Sequence, residues 1–401
     1  MKYLVLPVSD KRPEQSPARR HGTLAVGGFA HFIHDGLTDS QFVLLPIWAE
    51  AFGLNHAQVG LIKMCSTGAL ASLQVPAGIL AEKIGERIIL ALGTMLAGLG
   101  FIITGFAAGY ISLLIGVLIL GSGASTQHPL VSALVSRAYR GGAVRAALGT
   151  YNFTGDLGKA VVPFVVSAII ALWGWRGGVH ACGTAVVVSG MLLFFLLGRL
   201  PPAQTRLEKP KVTLKGWGIE NRVGFFVLSS ISMIDSSCRM AFLTFVPFLL
   251  ISKGVEGPSI GFAFSLIFAG GAAGKQACGL IAERAGIIRT VIITELLTGL
   301  CILGVVFLPM LSVWFLLPVT GMALNGTSSV LYGTVADFID PDRLPRAYGL
   351  FYTLALSAGA AAPVLYGILS DSTSVDQALV VIGLSVLLTL PLCMVLRKLI
   401  A

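Results

Sequence analysis

The chain reads as an all-α membrane protein, twelve transmembrane helices arranged as two pseudo-symmetric six-helix bundles. Three observations predict this. First, 55% of the residues are hydrophobic and only 12% are charged, with a mean hydropathy of +0.86. A water-soluble domain carries about 25% charged residues, so there are too few charges here to coat a wetted surface. Second, the apolar runs are about 20 residues long and do not alternate, which fits membrane-spanning helices and not barrel strands. Third, the stretch Gly78-Ile-Leu-Ala-Glu82-Lys83-Ile-Gly85 recurs as Gly279-Leu-Ile-Ala-Glu283-Arg284-Ala-Gly286, an offset of 201 in a chain of 401. Asp35 matches Asp235, Gly60 matches Gly261, Gly149 matches Gly349 and Pro163 matches Pro363. Landmarks kept in order over both halves describe a duplicated unit, and parallel halves are a feature of membrane transporters.

In chain order, residues 1–22 are a polar, basic arm, read as a disordered cytoplasmic tail with no signal-peptide core. Spans follow at 24–50, 57–82, 87–108, 110–138, 145–172 and 177–199, completing an N-terminal bundle over 23–199. Residues 200–221, with Pro201, Pro202, Arg206, Lys209, Pro210, Lys211 and Lys215, make a basic cytoplasmic linker. The C-terminal bundle over 222–401 holds spans at 222–251, 258–283, 287–309, 311–338, 344–370 and 376–398. Twelve spans put both termini on one side. With that side in the cytoplasm, 22 of the 28 Lys and Arg lie in cytoplasmic segments. This positive-inside bias fixes the topology in an inner (plasma) membrane and accounts for the net charge of +9 without a nucleic-acid partner. The six cysteines fall in spans, with no CxxC, and read as small hydrophobes.

The turn Gly78-x-Leu80-Ala81-Glu82-Lys83-x-Gly85-x-Arg87-x-x-Leu90 resembles the loop 2–3 signature of the major facilitator superfamily, with Glu82 for the usual Asp and Glu86 where a base is common. The copy at 279–289 and the turn Gly174-Trp-Arg176 fit the same family. Gly121-x-Gly-x-x-x-Gln127-His128-Pro129 and Thr154-Gly155-Asp156-x-Gly158-x-x-x-x-Pro163 resemble fourth- and fifth-span stretches of its fosmidomycin-resistance-like branch. The sequence departs from that pattern at Asp156 and Val162 and adds Lys159. The resemblance implies a central cavity lined by the first, fourth, seventh and tenth spans. It also implies that Gly78, Glu82, Lys83, Gly85 and Arg87, with Glu283 and Arg284, form a conformational latch that breaks when the halves rock. In that latch the first-half turn would pair with Arg137, Arg140 or Arg145. Asp337 and Asp340 with Arg343 and Arg346 would be its second-half counterparts.

Charges inside spans are costly and mark function unless they only lock helices together or snorkel to a span end. His31, Asp35 and Asp39 recur at i, i+4 and i+8 in the first span, with His34 and Thr38 beside them. Carboxylates a turn apart, in lipid, suit taking up and releasing a proton. Asp35, Asp39 and Asp235 are the candidate proton-coupling residues. His31 and His34 lie nearer the cytoplasmic end, where they could be merely solvated. Asn152, Asp156 and Lys159 share a face of the fifth span, with Asp156 and Lys159 spaced to pair within it. Ser232, Asp235, Ser236 and Arg239 share a face of the seventh, and Asp235 is expected to face Asp35 across the pseudo-twofold axis. The guanidinium of Arg239 suits a carboxylate or phosphonate unless an aspartate already neutralises it. Gln127 and His128, then Asn325, Ser328, Ser329 and Tyr332, give the fourth and tenth spans polar stripes. The candidate substrate-binding set is therefore His31, His34, Gln127, His128, Asn152, Asp156, Lys159, Arg239, Lys275, Asn325 and Tyr332. Lys63 reads as snorkelling, and Glu295 in the ninth span has no assigned role.

These residues predict an H⁺-coupled secondary transporter of a small anionic or zwitterionic solute; the resemblance to the fosmidomycin-resistance-like branch implies efflux by antiport, with uptake by H⁺ symport the alternative. The partners expected are that solute, protons and the lipid bilayer, with the chain a monomer. No cofactor or metal is expected, and nothing resembles a nucleotide-binding loop, so ATP does not drive it. An intramembrane enzyme would need a nucleophile or metal set, and HExxH, GxSxG and clustered His/Cys are absent from the sequence. An uncoupled channel would repeat a pore loop, and none is seen.

Overall fold

A computed structural model describes residues 15–139, 142–200, 219–339 and 344–400. The helices are α1 (Pro17–Phe52), α2 (His56–Ile84), α3 (Glu86–Gly105), α4 (Tyr110–Ala124), α5 (Gln127–Ala138), α6 (Gly142–Arg199), α7 (Arg222–Ser252), α8 (Pro258–Ala285), α9 (Ile287–Phe307), α10 (Met310–Thr334), α11 (Leu344–Ser372), α12 (Val375–Ser385) and α13 (Thr389–Ile400). Among the described residues there is one isolated β-bridge, Ile219 with Ile339, and no strand. Among the described residues, ten helices are long and apolar enough to cross a membrane. Gly174, at φ 69° and ψ 166°, breaks α6 into two such stretches at the expected turn. The stretch α1, 36 residues long, owes its lower hydropathy to the polar stripe. The twelve expected spans are thus all present. The fourth is α4 and α5 in series, and the twelfth is α12 and α13.

Two boundaries move. The first helix starts at Pro17, with the Ser16 hydroxyl accepting from the Arg19 amide at 3.3 Å, so the basic arm is helical from there and not a tail to residue 22. Proline in the first turn loses no hydrogen bond and begins the helix earlier than hydropathy suggests. The linker is tied down at its end, where the Glu220 amide donates to the Phe338 carbonyl at 3.0 Å. Linker residues 201–218 lie outside the described residues.

The two halves meet along α2 with α11 and along the first stretch of α6 with α8. Both seams are pseudo-symmetric. Gly60 lies against the carbonyl of Pro363, and its repeat mate Gly261 lies against the carbonyl of Pro163. A Cβ at either glycine would strike backbone, so the repeated Gly and Pro make the same close crossing twice.

Packing differs between the two ends of the molecule. At the end remote from the termini one apolar cluster joins both halves, with Leu44, Leu45 and Trp48 of α1 beside Phe242, Phe245 and Phe264 of α7 and α8. At the end carrying the termini the apolar cores are separate. One holds Leu90, Val131 and Tyr151 of the first half, and the other holds Phe225, Leu331 and Phe351 of the second. A polar clasp reinforces the sealed end. The amides of His56 and Ala57, at the start of α2, donate to the two carboxylate oxygens of Asp371 in α11 at 2.7 and 2.9 Å. A carboxylate there satisfies donors that a helix start leaves open and meets the positive end of the helix dipole. The halves are therefore shut at one end and parted at the other.

Candidate functional site

The site is built around Asp35, 4% exposed. Its Oδ1 lies 2.9 Å from His34 Nδ1 and 3.5 Å from His128 Nε2. Its Oδ2 lies 3.1 Å from His31 Nε2 and 3.2 Å from Lys159 Nζ. Lys159 also reaches Asp39 at 3.8 Å. Local chain geometry sets this up. Gly158 has no side chain, so α6 closes onto the Phe32 carbonyl of α1 and brings Lys159 within reach. Pro129 cannot donate to the carbonyl four residues back, and the helix breaks between Ala124 and Gln127. The Ala124 carbonyl, at the end of α4, sits 2.8 Å from His34 Nε2.

The imidazole contacts constrain the protons. His31 Nδ1 lies 2.8 Å from the Tyr151 carbonyl, and its other nitrogen faces Asp35. His34 is held the same way between the Ala124 carbonyl and Asp35. A carbonyl only accepts, so each of those nitrogens carries hydrogen. A neutral imidazole has one N–H and leaves nothing to donate to a carboxylate. The four contacts are all made only when the His31–His34–Asp35 group holds protons beyond those of two neutral imidazoles and one carboxylate.

The expected intrahelical pair of Asp156 and Lys159 does not form. Lys159 turns to Asp35 and Asp39, and Asp156 instead accepts from Lys275 Nζ of α8 at 2.6 Å, across the seam between the halves. Two carboxylates on α1 attract the ammonium more strongly than one a turn away in its own helix. His31 and His34 are not merely solvated; both are buried against Asp35. Lys63 does not snorkel. It is buried over the Phe42 ring, 4.1 Å from its centroid, and donates to the Thr38 carbonyl at 3.4 Å. Asp235 has Arg239 as its ion contact among the described residues, at 3.8 Å.

Of the remaining candidates, Gln127 is buried and exchanges hydrogen bonds with the Tyr151 hydroxyl at 3.2 and 3.4 Å, so it braces the first half. Asn325 donates to the Gly321 carbonyl of its own helix at 3.1 Å. Asn152 is exposed and stands apart from the cluster. Tyr332 packs on Tyr352, ring centroids 4.8 Å apart. The side chains of Lys159, Lys275 and His128 are 28, 35 and 39% exposed, so they present donors to the space between the halves. Tyr151 escaped the sequence reading. Its ring stacks on His31 at 4.1 Å and its carbonyl orients that histidine, a role that leaves no polar signature in sequence.

The latch is only partly as expected. Arg137 pairs with Glu86. Arg87 donates to the Phe194 carbonyl at 2.7 Å and lies on the Phe194 ring. The unusual acid at 86 is what gives Arg137 its partner. Gly85 and Gly286 take the same left-handed turn, at φ 106° and 87°. Gly78, Lys83, Glu283 and Arg284 reach the surface near these turns. Arg140, Asp340 and Arg343, and the side chains of Arg145 and Arg346, lie outside the described residues.

A metal ion is poorly served here. Ligand atoms of His31, Asp35 and His128 lie within 4.8 Å of one another. A cation would first have to displace the Lys159 ammonium from the same carboxylate.

The family profile described as Major Facilitator Superfamily matches residues 27–363 and 228–399. The fosmidomycin resistance protein of Escherichia coli (strain K12) is 25% identical over 382 residues, 92% of each chain. A probable sulfoacetate transporter of Cupriavidus necator is 26% identical over 202 residues, 49% of this chain and 46% of that protein. The solved structure of a bacterial homologue of the human lysosomal transporter Spinster, inward-facing and occupied, superposes with a TM-score of 0.81. It is 15% identical and covers 96% of this chain and 98% of its own.

Proposed function

The chain belongs to the major facilitator superfamily, and on that premise we propose that it exports a small organic anion across the inner membrane in exchange for protons. It is a membrane-embedded transporter of a small solute. Each six-helix half moves as a unit, and the halves rock about the central site. The bias of Lys and Arg puts both termini in the cytoplasm. The sealed end then faces outward, and the state described is inward-open. The chain works as a monomer.

The observation that carries the reading is the Asp35 cluster. A carboxylate gripped by three imidazoles and an ammonium, with more protons than neutral histidines supply, can load and unload H⁺ as its surroundings change. Lys159, Lys275 and His128 offer donors to an anion, and Arg239 supplies a planar fork once it leaves Asp235. The likeness to a probable sulfoacetate transporter supports an anionic solute. The bond from Lys275 to Asp156 joins the halves beside this site, so an anion drawing Lys275 away would loosen the seam as it binds. The surplus of bases around Asp35 also favours a second reading, import of the anion together with H⁺. The turn pairs Arg137–Glu86 and Arg87–Phe194 set the conformational balance and touch no solute.

The test is proton movement in proteoliposomes holding a pH dye, challenged with small carboxylates, sulfonates and phosphonates. Export by antiport acidifies the compartment opposite to the anion's destination, whereas symport moves both the same way. Asp35→Asn should stop proton movement and leave anion exchange. Exchange with no proton movement in the unmodified protein would sink the coupled reading.

A further inference from the structure

Behind Arg239 lies a carboxylate that the transport mechanism has not used. Glu295 of α9 is 0% exposed, and neither carboxylate oxygen has a hydrogen-bond partner. The Thr327 hydroxyl, close enough to act on the carboxylate, donates instead to Thr294 at 2.8 Å. An ionised carboxylate stripped of water and given no donor costs several kcal/mol, far more than the neutral acid. Titratable groups reach it from the packed elements as follows. Asp235, Cys238 and Arg239 act on it from α7 and Cys393 from α13, and Tyr332 of α10 faces Arg239. The helix α12 carries one titratable side chain, Asp376, in its first turn. From α8, Lys275 is committed to Asp156. The second half thus buries two acids, Asp235 and Glu295, around one base, Arg239. One proton closes that charge balance.

We propose that Glu295 is a proton-carrying residue of the second half, sharing one proton with Asp235 according to which acid Arg239 pairs with. The inference rests on the coupled-transport reading above. In the state described, Arg239 faces Asp235 and the proton sits on Glu295. When Arg239 turns to Glu295, the Glu295 O–H bond breaks and an Asp235 O–H bond forms. The guanidinium keeps its charge throughout. Asp235 lies on the same face as Arg239, which is partly open to the space between the halves, so the proton can pass to water from there. A helix-facing carboxylate serving only as packing would never need to ionise.

The experiment uses the full chain in lipid, read by infrared spectroscopy between low and high pH without any solute. One component of the protonated-carboxyl stretching band should belong to this residue: it should vanish in Glu295→Gln and return, shifted, in Glu295→Asp. In proteoliposomes, Glu295→Gln should keep anion exchange and lower proton movement per anion roughly twofold, as expected on losing one of two proton sites. Glu295→Asp should restore most of it. A band unchanged in Glu295→Gln assigns the proton to another group and overturns the proposal. A component that vanishes while proton movement per anion is unchanged makes Glu295 a neutral packing group and overturns it too. Failure of the parent reading looks different: no anion moves protons in the unmodified protein, and Asp35→Asn changes nothing.

Discussion

Asp35 and Asp235 occupy the same point of an internal repeat, near the middle of the first helix of each half. Asp35 has four side-chain nitrogens within 3.5 Å; Asp235 has one, at 3.8 Å. The first half gathers bases onto one carboxylate. The second sets one base against two acids, one of which has no hydrogen-bond partner among the described residues. Duplication gave both halves the same scaffold, down to the paired glycine–proline crossings. The chemistry then diverged through single side chains, because a helix face offers a position without dictating what stands opposite. A two-fold architecture can therefore hold two unlike proton sites, one rich in donors and one poor in them.

The sharpest way to break this comparison is to remove each aspartate in turn. Asp35→Ala strands several buried bases, so a loss of about 3–5 kcal/mol of stability is expected, the usual cost of breaking a buried ion pair. Asp235→Ala frees only Arg239 and should cost clearly less. Thermal unfolding in a single detergent measures both. Equal losses would show that the number of contacts around Asp35 has no energetic weight.

Lys159→Met comes next. It removes one cation from both Asp35 and Asp39, so proton movement should fall at least tenfold, a change of about 1.4 kcal/mol in the coupled equilibrium. Arg239→Met should instead weaken anion exchange first, because its acid partner has a neutral alternative. Comparing the two variants by proton flux and by counterflow separates the roles.

At the sealed end, Asp371→Ala removes the carboxylate that closes the start of α2. Loss of such a cap costs about 0.5–2 kcal/mol. The population open at the outward end should rise accordingly, read by labelling a cysteine placed near Asn55.

The smallest effect is expected at the seam. The pair of Lys275 and Asp156 is about a third exposed on the lysine side. A double-mutant cycle should give a coupling of about 0.2–1 kcal/mol, as for solvated ion pairs. The exchange Asp156→Lys with Lys275→Asp should recover most of it. A much larger coupling would mean that this pair is a main tie between the halves and not a solvated contact.

Much of this protein was legible in one dimension. Long apolar runs, their turns, the duplicated Gly78–Gly85 stretch and the asymmetry of Lys and Arg are local properties of the chain. Hydropathy and helical spacing report them directly. The stripe of His31, Asp35 and Asp39 was visible for the same reason, since residues four apart share a helix face. Spacing gives a direction around a helix axis and not the identity of the neighbour. Hence the pairing of Asp156 with Lys159, sound within one helix, lost to Lys275 and Asp35 on other helices. The bracing role of Tyr151, the clasp from Asp371 to α2, the acid at Glu86 serving Arg137, and the isolation of Glu295 all depend on distances between helices far apart in sequence. Which end is sealed was likewise out of reach, because a rocking carrier has two packings of one sequence that differ little in free energy. Sequence set the helices and the polar faces; only tertiary packing, by bringing particular charges within a few ångströms in a medium that screens them weakly, decided which of them meet.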